Sequence, residues 1–171
     1  NIDCTLLSLE GGTADITVGD DVENITRSPE VLFENNRVTY NRARGILLGS
    51  RGKTVIRNNY FNTAGAAVLF ESNGSFWFES GAVQQVEITN NVFENCRYGA
   101  WCSAVIEVAP REKTEPNRYY HGKILVQNNI FHNCKLPLFK ANNVQKAIFS
   151  QNKITPLIGE PAEYTHCGNI I

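Results

Sequence analysis

The sequence predicts an all-β protein, a single-stranded parallel β-helix whose coils hold about 23 residues each. The first observation behind this prediction is a repeated cassette, an alternating apolar run that ends in two asparagines and an apolar anchor residue. Its clear copies cover residues 55–61, 86–93 and 124–131, with looser copies around Asn36 and Asn152. Helical repeats need an apolar period of about 3.6 residues, which these segments lack.

The second observation is the spacing of the cassettes along the chain. The second asparagine of each pair stands at position 36, 59, 91, 129 or 152, so the steps are 23, 32, 38 and 23 residues. Such a period is typical of stacked units that cannot bury a hydrophobic face alone. We expect the asparagines to form a hydrogen-bonded ladder along the stack. An inner apolar ladder is expected from Val38, Phe61, Phe93, Phe131 and Ile154.

A second strand is predicted in each coil, seven residues past the anchor, at residues 45–48, 68–70, 100–102 and 138–139. Residues 16–18 are predicted as the same strand of an earlier coil. The connection after this strand is short in one coil but long at 19–30, 71–83 and 103–122. We therefore expect the loop insertions on one edge of the stack, where repeat proteins carry their functional sites.

The chain of 171 residues is expected to form one domain, a segment of a longer β-helix. Residues 155–171 are expected to be a cap or an irregular last coil, because Pro156 and Pro161 interrupt strand pairing. The 16 basic and 17 acidic residues balance, which indicates no nucleic-acid partner. No apolar run reaches the roughly 18 residues that a membrane span requires.

The five cysteines are odd in number and contain no C-x-x-C spacing, so we expect no metal site and no cofactor. Cys96 and Cys134 each stand five places after a cassette asparagine, which predicts that they stack in neighbouring coils. They are interpreted as small buried hydrophobic residues, with a disulfide as the alternative.

Polar and aromatic side chains are concentrated in the three long connections. The first connection contains Asp20, Asp21 and Glu23, the second Glu71, Asn73, Trp77 and Glu79, and the third Glu107, Tyr119, Tyr120 and His121, while Arg42, Arg44 and Arg51 lie between the first two. Carboxylates beside aromatic rings suit carbohydrate binding, and glycosidic cleavage needs two carboxyl groups across the bond. The alternatives are that the aspartates only close a turn, that the arginines belong to a structural network, and that Trp77 packs on the wall.

Four stretches together resemble one known family: DDVENIT at 20–26, NRARGILL at 41–48, AVLFE at 67–71 and FWFESGAV at 76–83. They are similar to glycoside hydrolase family 110, bacterial α-1,3-galactosidases. The resemblance runs from about residue 18 to 133. It implies a right-handed β-helix that cleaves blood-group-B-type and linear α-galactosides with inversion. It also implies a secreted, periplasmic or cell-surface location.

The resemblance implies a sugar site with Asp20, Asp21, Glu71 and Glu79 as candidate catalytic residues and Arg44, Arg51, Asn73 and Trp77 as candidate substrate-binding residues. Either aspartate would be one carboxylate and either glutamate the other, with Arg44 orienting the sugar and Trp77 as its platform. The family pattern has an acid where this chain has Asn73, and an amide cannot act as a general acid or base.

The favoured hypothesis is therefore an inverting exo-α-galactosidase that acts on terminal α-1,3-linked galactose of a glycan. A non-catalytic carbohydrate-binding or surface β-helix is the alternative that Asn73 favours. A polysaccharide lyase on the same scaffold is the third hypothesis, and it would require a calcium-binding acidic cluster and a basic residue.

Overall fold

The computed structural model describes residues 8–11, 16–20, 22–74, 77, 81–110 and 118–155. These residues form fourteen short β-strands and no helix. The strands are β1 (Val31–Glu34), β2 (Arg37–Asn41), β3 (Ile46–Leu47), β4 (Thr54–Arg57), β5 (Tyr60–Thr63), β6 (Val68–Phe70), β7 (Gln85–Thr89), β8 (Val92–Glu94), β9 (Ile106–Val108), β10 (His121–Gln127), β11 (Ile130–His132), β12 (Phe139–Ala141), β13 (Val144–Ser150) and β14 (Lys153–Thr155). Because no helix occurs in the described residues, none of them forms a helical membrane span.

The strands form three parallel sheets, and each described coil gives one strand to each sheet except the last, which gives none to the third. The first sheet has the order β1-β4-β7-β10-β13, the second β2-β5-β8-β11-β14, and the third β3-β6-β9-β12. Every pairing between neighbouring coils is parallel. The predicted parallel β-helix is therefore confirmed, with one difference. The anchor residue forms a strand of its own, so a coil has three strands rather than two.

The asparagine ladder runs through five successive coils. The side-chain oxygen of Asn59 accepts the backbone N–H of Asn36 at 2.9 Å, and Asn91 does the same for Asn59 at 3.0 Å. Asn129 and Asn152 continue the series at 2.9 Å each. The residue before each ladder position is in the left-handed region, with φ of 55–59° at Asn35, Asn58, Asn90, Asn128 and Gln151. Asparagine tolerates this conformation best among residues with a Cβ, which explains the doubled asparagine.

The inner ladder is a column of phenylalanines at the centre of the core. The ring centroids of Phe61 and Phe93 are 5.3 Å apart, and those of Phe93 and Phe131 are 4.7 Å apart. Val38 and Ile154 extend the column at its two ends, in register with Phe61 and Phe131. The three rings are fully buried, so the predicted ladder is confirmed as core.

Two of the predicted strands are wrong. Residues 100–102 lie in the connection between β8 and β9, and the third-sheet strand of that coil is β9. Its Ile106 and Val108 pair with Val68 and Phe70 and fill the core positions that residues 100–102 were expected to take. That insertion therefore lies at a different corner from the expected edge. Residues 16–18 are also not a strand.

Cys96 and Cys134 stack as expected, and they are free thiols. The backbone N–H of Cys96 points at the sulfur of Cys134, with an N–S distance of 3.5 Å. Each thiol also donates to a backbone carbonyl of the preceding coil, Phe61 for Cys96 and Phe93 for Cys134. The interpretation as buried hydrophobic residues is therefore confirmed, and the alternative of a disulfide is not.

Candidate functional site

The long connections leave the β-helix where each coil passes from the third sheet to the first, here called the loop edge. Residues 71–84 and 109–120 connect the two sheets there, whereas 48–53 and 142–143 make the same passage in a few residues. A hydrogen bond of 2.7 Å between the hydroxyls of Ser72 and Tyr120 joins the two long connections. The predicted edge is thus correct for these two insertions.

The outer face of the third sheet lies beside this edge. Since side chains alternate along a strand, Val68 and Phe70 point into the core and Leu69 points outwards, as does its register partner Glu107. Both outward residues are nevertheless covered, with exposures of 4% and 7%. The connection between β8 and β9, residues 95–105, lies over Glu107 and is here called the corner insertion.

The Glu107 carboxylate anchors the corner insertion to the sheet. One oxygen accepts the backbone N–H of Ser103 at 2.7 Å, and the other accepts the Ser103 hydroxyl. Lys140 is the register partner of Glu107 on β12, and its ammonium donates to the same hydroxyl at 3.0 Å. Glu107 is predicted in the long connection 103–122 but lies on strand β9. The alternation Ile106-Glu107-Val108, an acid between two apolar residues, was the signal for a strand.

Four polar residues lie on or beside the outer face of the third sheet: Cys102 of the corner insertion, Glu107, Arg44 and Glu71. Burial is the largest effect that raises the pKa of the half-buried Cys102 thiol, and the negative charges of Glu107 and Glu71 raise it further. A backbone hydrogen bond with Ala66 and the positive charge of Arg44 act in the opposite direction. Glu107 lies on the outer face of the third sheet, Arg44 precedes the Gly45 that pairs with Ala66 at one end of this sheet, and Glu71 follows β6 at the other end. These four residues are here called the outer-face cluster.

The segment 22–30 is attached to the loop edge of the next coil. The guanidinium of Arg51 donates to one oxygen of Glu23 through Nη2 at 2.7 Å and Nε at 3.0 Å. The Ser50 hydroxyl donates to the Pro29 carbonyl at 2.6 Å. The segment that follows Asp21 is therefore held against the 48–53 connection, two coils away from the connection that begins at Glu71.

Gly81 brings the second long connection against the first two coils. A Cβ added to Gly81 would lie 3.0 Å from the Glu71 carbonyl oxygen and 3.2 Å from the Cα of Gly49. Only glycine permits this approach without a shift of backbone. The backbone of Glu71 and the 48–53 connection therefore lie next to each other at the loop edge.

The predicted site residues fall into three groups. Arg44 and Glu71 both border the third sheet, at its opposite ends. Asp20 is exposed and accepts the Thr17 N–H at 2.7 Å, so it closes a turn, as one alternative expected. Three further predicted site residues are described. Arg51 forms an ion pair with Glu23, Asn73 is fully buried, and Trp77 is 64% exposed. Asp21 and Glu79 lie outside the described residues.

Among the described residues, no group of three or more His, Cys, Asp and Glu side chains is arranged to hold a metal ion. The candidate residues of the site carry carboxylates, guanidinium groups and aromatic rings. Carboxylates and guanidinium groups can bind sugar hydroxyls, and carboxylates can also exchange protons with them.

The comparisons with known proteins agree with the fold. Residues 21–105 match the family model described as a right handed beta helix region. With its three parallel sheets, the chain is a right-handed parallel β-helix protein.

The relatives are more specific about the kind of β-helix. The chain is similar to α-1,3-galactosidase A of Shewanella woodyi, with 38% identity over 81% of this chain and 23% of the relative. It is 36% identical to α-1,3-galactosidase B of Bacteroides thetaiotaomicron, over 82% of this chain and 24% of the relative. For α-1,3-galactosidase B of Akkermansia muciniphila the identity is 33%, over 91% and 21% respectively. The resemblance to α-1,3-galactosidases is confirmed, and the chain spans less than a quarter of the length of these relatives.

Proposed function

We propose that this chain is part of an inverting exo-α-galactosidase that removes terminal α-1,3-linked galactose from glycans. The observation that carries the proposal is the outer-face cluster, in which Arg44 and Glu71 border the outer face of one sheet in a chain similar to α-1,3-galactosidases. Arg44 offers a planar donor for sugar hydroxyls, and Glu71 offers a carboxyl group. Trp77, exposed in the neighbouring connection, offers a ring on which a sugar can stack.

An inverting glycosidase needs two carboxyl groups about 6.5–9.5 Å apart, one protonated and one ionised. We assign one of them to Asp20 or Asp21 and the other to Glu71 or Glu79. The ion pair between Glu23 and Arg51 supports this assignment, because it fixes the chain two residues after Asp21 at the same edge as Glu71. The protonated group would donate to the glycosidic oxygen while the ionised group removes a proton from the attacking water.

Glu107 is a second carboxylate of the outer-face cluster, and its position alone would allow a catalytic role. It pairs with Leu69, and Glu71 follows two residues later, which puts their Cα atoms about 8 Å apart at ordinary strand spacings. Both oxygens of Glu107, however, are bonded to Ser103, and the side chain is 7% exposed. We therefore assign it the role of holding the corner insertion.

Two observations favour the second candidate function, a β-helix that binds glycans without cleaving them. Asn73 is an amide where the resemblance leads us to expect an acid, and it is fully buried. The Asp20 carboxylate already accepts a backbone hydrogen bond within its own turn. Both candidates involve extracellular glycans, so we also propose a secreted, periplasmic or cell-surface location, which cell fractionation would test.

Galactose release from an α-1,3-linked galactose disaccharide separates the two candidates. Asp21→Asn, Glu71→Gln and Glu79→Gln are each expected to reduce the rate by about 10²- to 10⁴-fold if the residue is the acid or the base. Glu87→Gln is the control, because Glu87 pairs with Lys53 on the outer face of the first sheet, and its rate should be unchanged. Unchanged rates in all variants would refute the site, and glycan binding without release would support the second candidate.

A further inference from the structure

The corner insertion is longer than the fold requires and is tied down firmly. It contains eleven residues, where the same passage in the preceding coil takes four. The backbone N–H of Arg97 donates to the Thr63 carbonyl at 2.9 Å, and that of Gly99 donates to the Ala64 carbonyl at 2.8 Å. At its other end, the bonds to Glu107 hold it. The insertion therefore presents its side chains from a fixed backbone.

Trp101 is the most prominent of these side chains, and it is 51% exposed. A Cβ added to Gly65 would come within 3.0 Å of the Trp101 Cβ, so the Trp101 side chain starts directly above that glycine. The Arg42 guanidinium of the first described coil lies 5.5 Å from the centre of the ring. The ring is thus positioned by two coils and still open to solvent.

An exposed indole next to a guanidinium does not contribute to the core of the β-helix, but it can bind a sugar. The C–H face of a pyranose stacks on an indole, and a guanidinium over the other face holds the indole in place by a cation–π contact. Because Arg42 covers one face of Trp101, the opposite face is the one on which a sugar would stack. A platform held in place before binding loses little conformational entropy when the ligand arrives.

Trp101 also stands in the correct place for a glycan that is cleaved at the proposed site. Its Cβ lies next to Gly65, and the carbonyl of the following Ala66 accepts the N–H of Gly45 at 2.8 Å, so the platform lies beside the backbone at Arg44. The connection that carries Trp77 leaves the same sheet at the end of its strands, whereas the corner insertion enters the sheet at their start.

We propose that Trp101 and Arg42 form a second sugar-binding subsite, which holds the pyranose linked to the terminal galactose. This assignment rests on the proposed α-galactosidase function for the identity of the ligand. Trp77 takes the terminal galactose and Trp101 takes the next sugar, so the enzyme recognises a disaccharide unit rather than a single residue.

The two tryptophans of the chain allow a direct test. In Trp77→Phe the only remaining tryptophan is Trp101, so its fluorescence reports on the new subsite alone. Titration with an α-1,3-linked galactose disaccharide should give a saturable change in this signal. Arg42→Ala in the same background should weaken the apparent affinity by about three- to tenfold, whereas Tyr98→Ala, an exposed aromatic on the same insertion, should leave it unchanged.

The absence of a saturable change would overturn the subsite, as would an equal change with glycerol or an affinity that Arg42→Ala does not alter. Galactose release is measured in the same samples with the parent chain. Its absence, together with a saturable signal, would count against the proposed hydrolysis and leave the subsite standing. Galactose release without any change in Trp101 fluorescence would support the proposed hydrolysis and refute the subsite.

Discussion

Replacement of Asn91 by alanine should be one of the most destabilising single substitutions in the chain. Asn91 is fully buried at the middle of the asparagine ladder. Its side-chain oxygen accepts the backbone N–H of Asn59 at 3.0 Å and the side-chain amide of Asn59 at 2.9 Å. Its own amide donates to the Ile56 carbonyl at 2.9 Å and to the Asn129 side-chain oxygen at 3.0 Å.

Alanine removes all of these bonds at once and leaves at least two buried backbone groups, Asn59 N–H and Ile56 C=O, without the ladder partner. Each buried group that loses its partner costs about 1–3 kcal/mol, so the expected loss is about 2–6 kcal/mol. Asn36→Ala is the matched control, because Asn36 is exposed and, among the described residues, its side chain donates to Glu34 and Asn59 and accepts no ladder hydrogen bond. It should cost about 1 kcal/mol or less.

Urea unfolding followed by circular dichroism measures both variants against the parent chain. The midpoint should fall strongly for Asn91→Ala and slightly for Asn36→Ala, with the m-value retained. Equal losses in the two variants would refute the claim that buried ladder bonds, rather than the turn conformation, make the asparagine necessary.

Two further predictions concern the corner insertion. Gly65→Ala should lower the free energy of unfolding by about 2 kcal/mol or more, because the added Cβ would lie 1.5 Å from the Ala43 carbonyl oxygen. Gly81→Ala is the control and should cost less, because the nearest atom to its added Cβ is 3.0 Å away. The reverse order of the two variants in urea unfolding would contradict this reasoning. Arg44→Gln should slow the alkylation of Cys102 at pH 8 and move its pH profile upwards, because the thiolate is the reactive form and Arg44 lowers the thiol pKa. Mass spectrometry of the peptide that contains Cys102 measures the rate, and an unchanged or faster reaction would exclude the proximity of the two residues.

The ladders of the fold could be predicted because each ladder position repeats with its own residue type. Asn59, Asn91 and Asn129 occupy equivalent positions whose backbone hydrogen bonds only an amide side chain can complete in both directions along the stack. Phe61, Phe93 and Phe131 likewise share one environment, the centre of the core. Periodicity therefore predicts contacts wherever neighbouring coils are in register.

The corner insertion could not be predicted in this way, because length differences between cassettes do not say where in a coil the extra residues lie. Trp101 and Cys102 lie at the distance from the anchor at which the third-sheet strand is expected. In the structure Ile106 and Val108 form that strand instead, because they fill its core positions. For the same reason Glu107 was assigned to a loop. The placement of Cys102 beside the third sheet arises from this insertion and has no sequence pattern of its own.

The most direct test of the proposed function is the anomeric form of the first galactose released. Proton NMR during hydrolysis of an α-1,3-linked galactose disaccharide distinguishes the two anomers before they equilibrate. An inverting pair of carboxyl groups at the loop edge predicts β-galactose as the initial product. Initial release of α-galactose, or no release at all, would contradict the account.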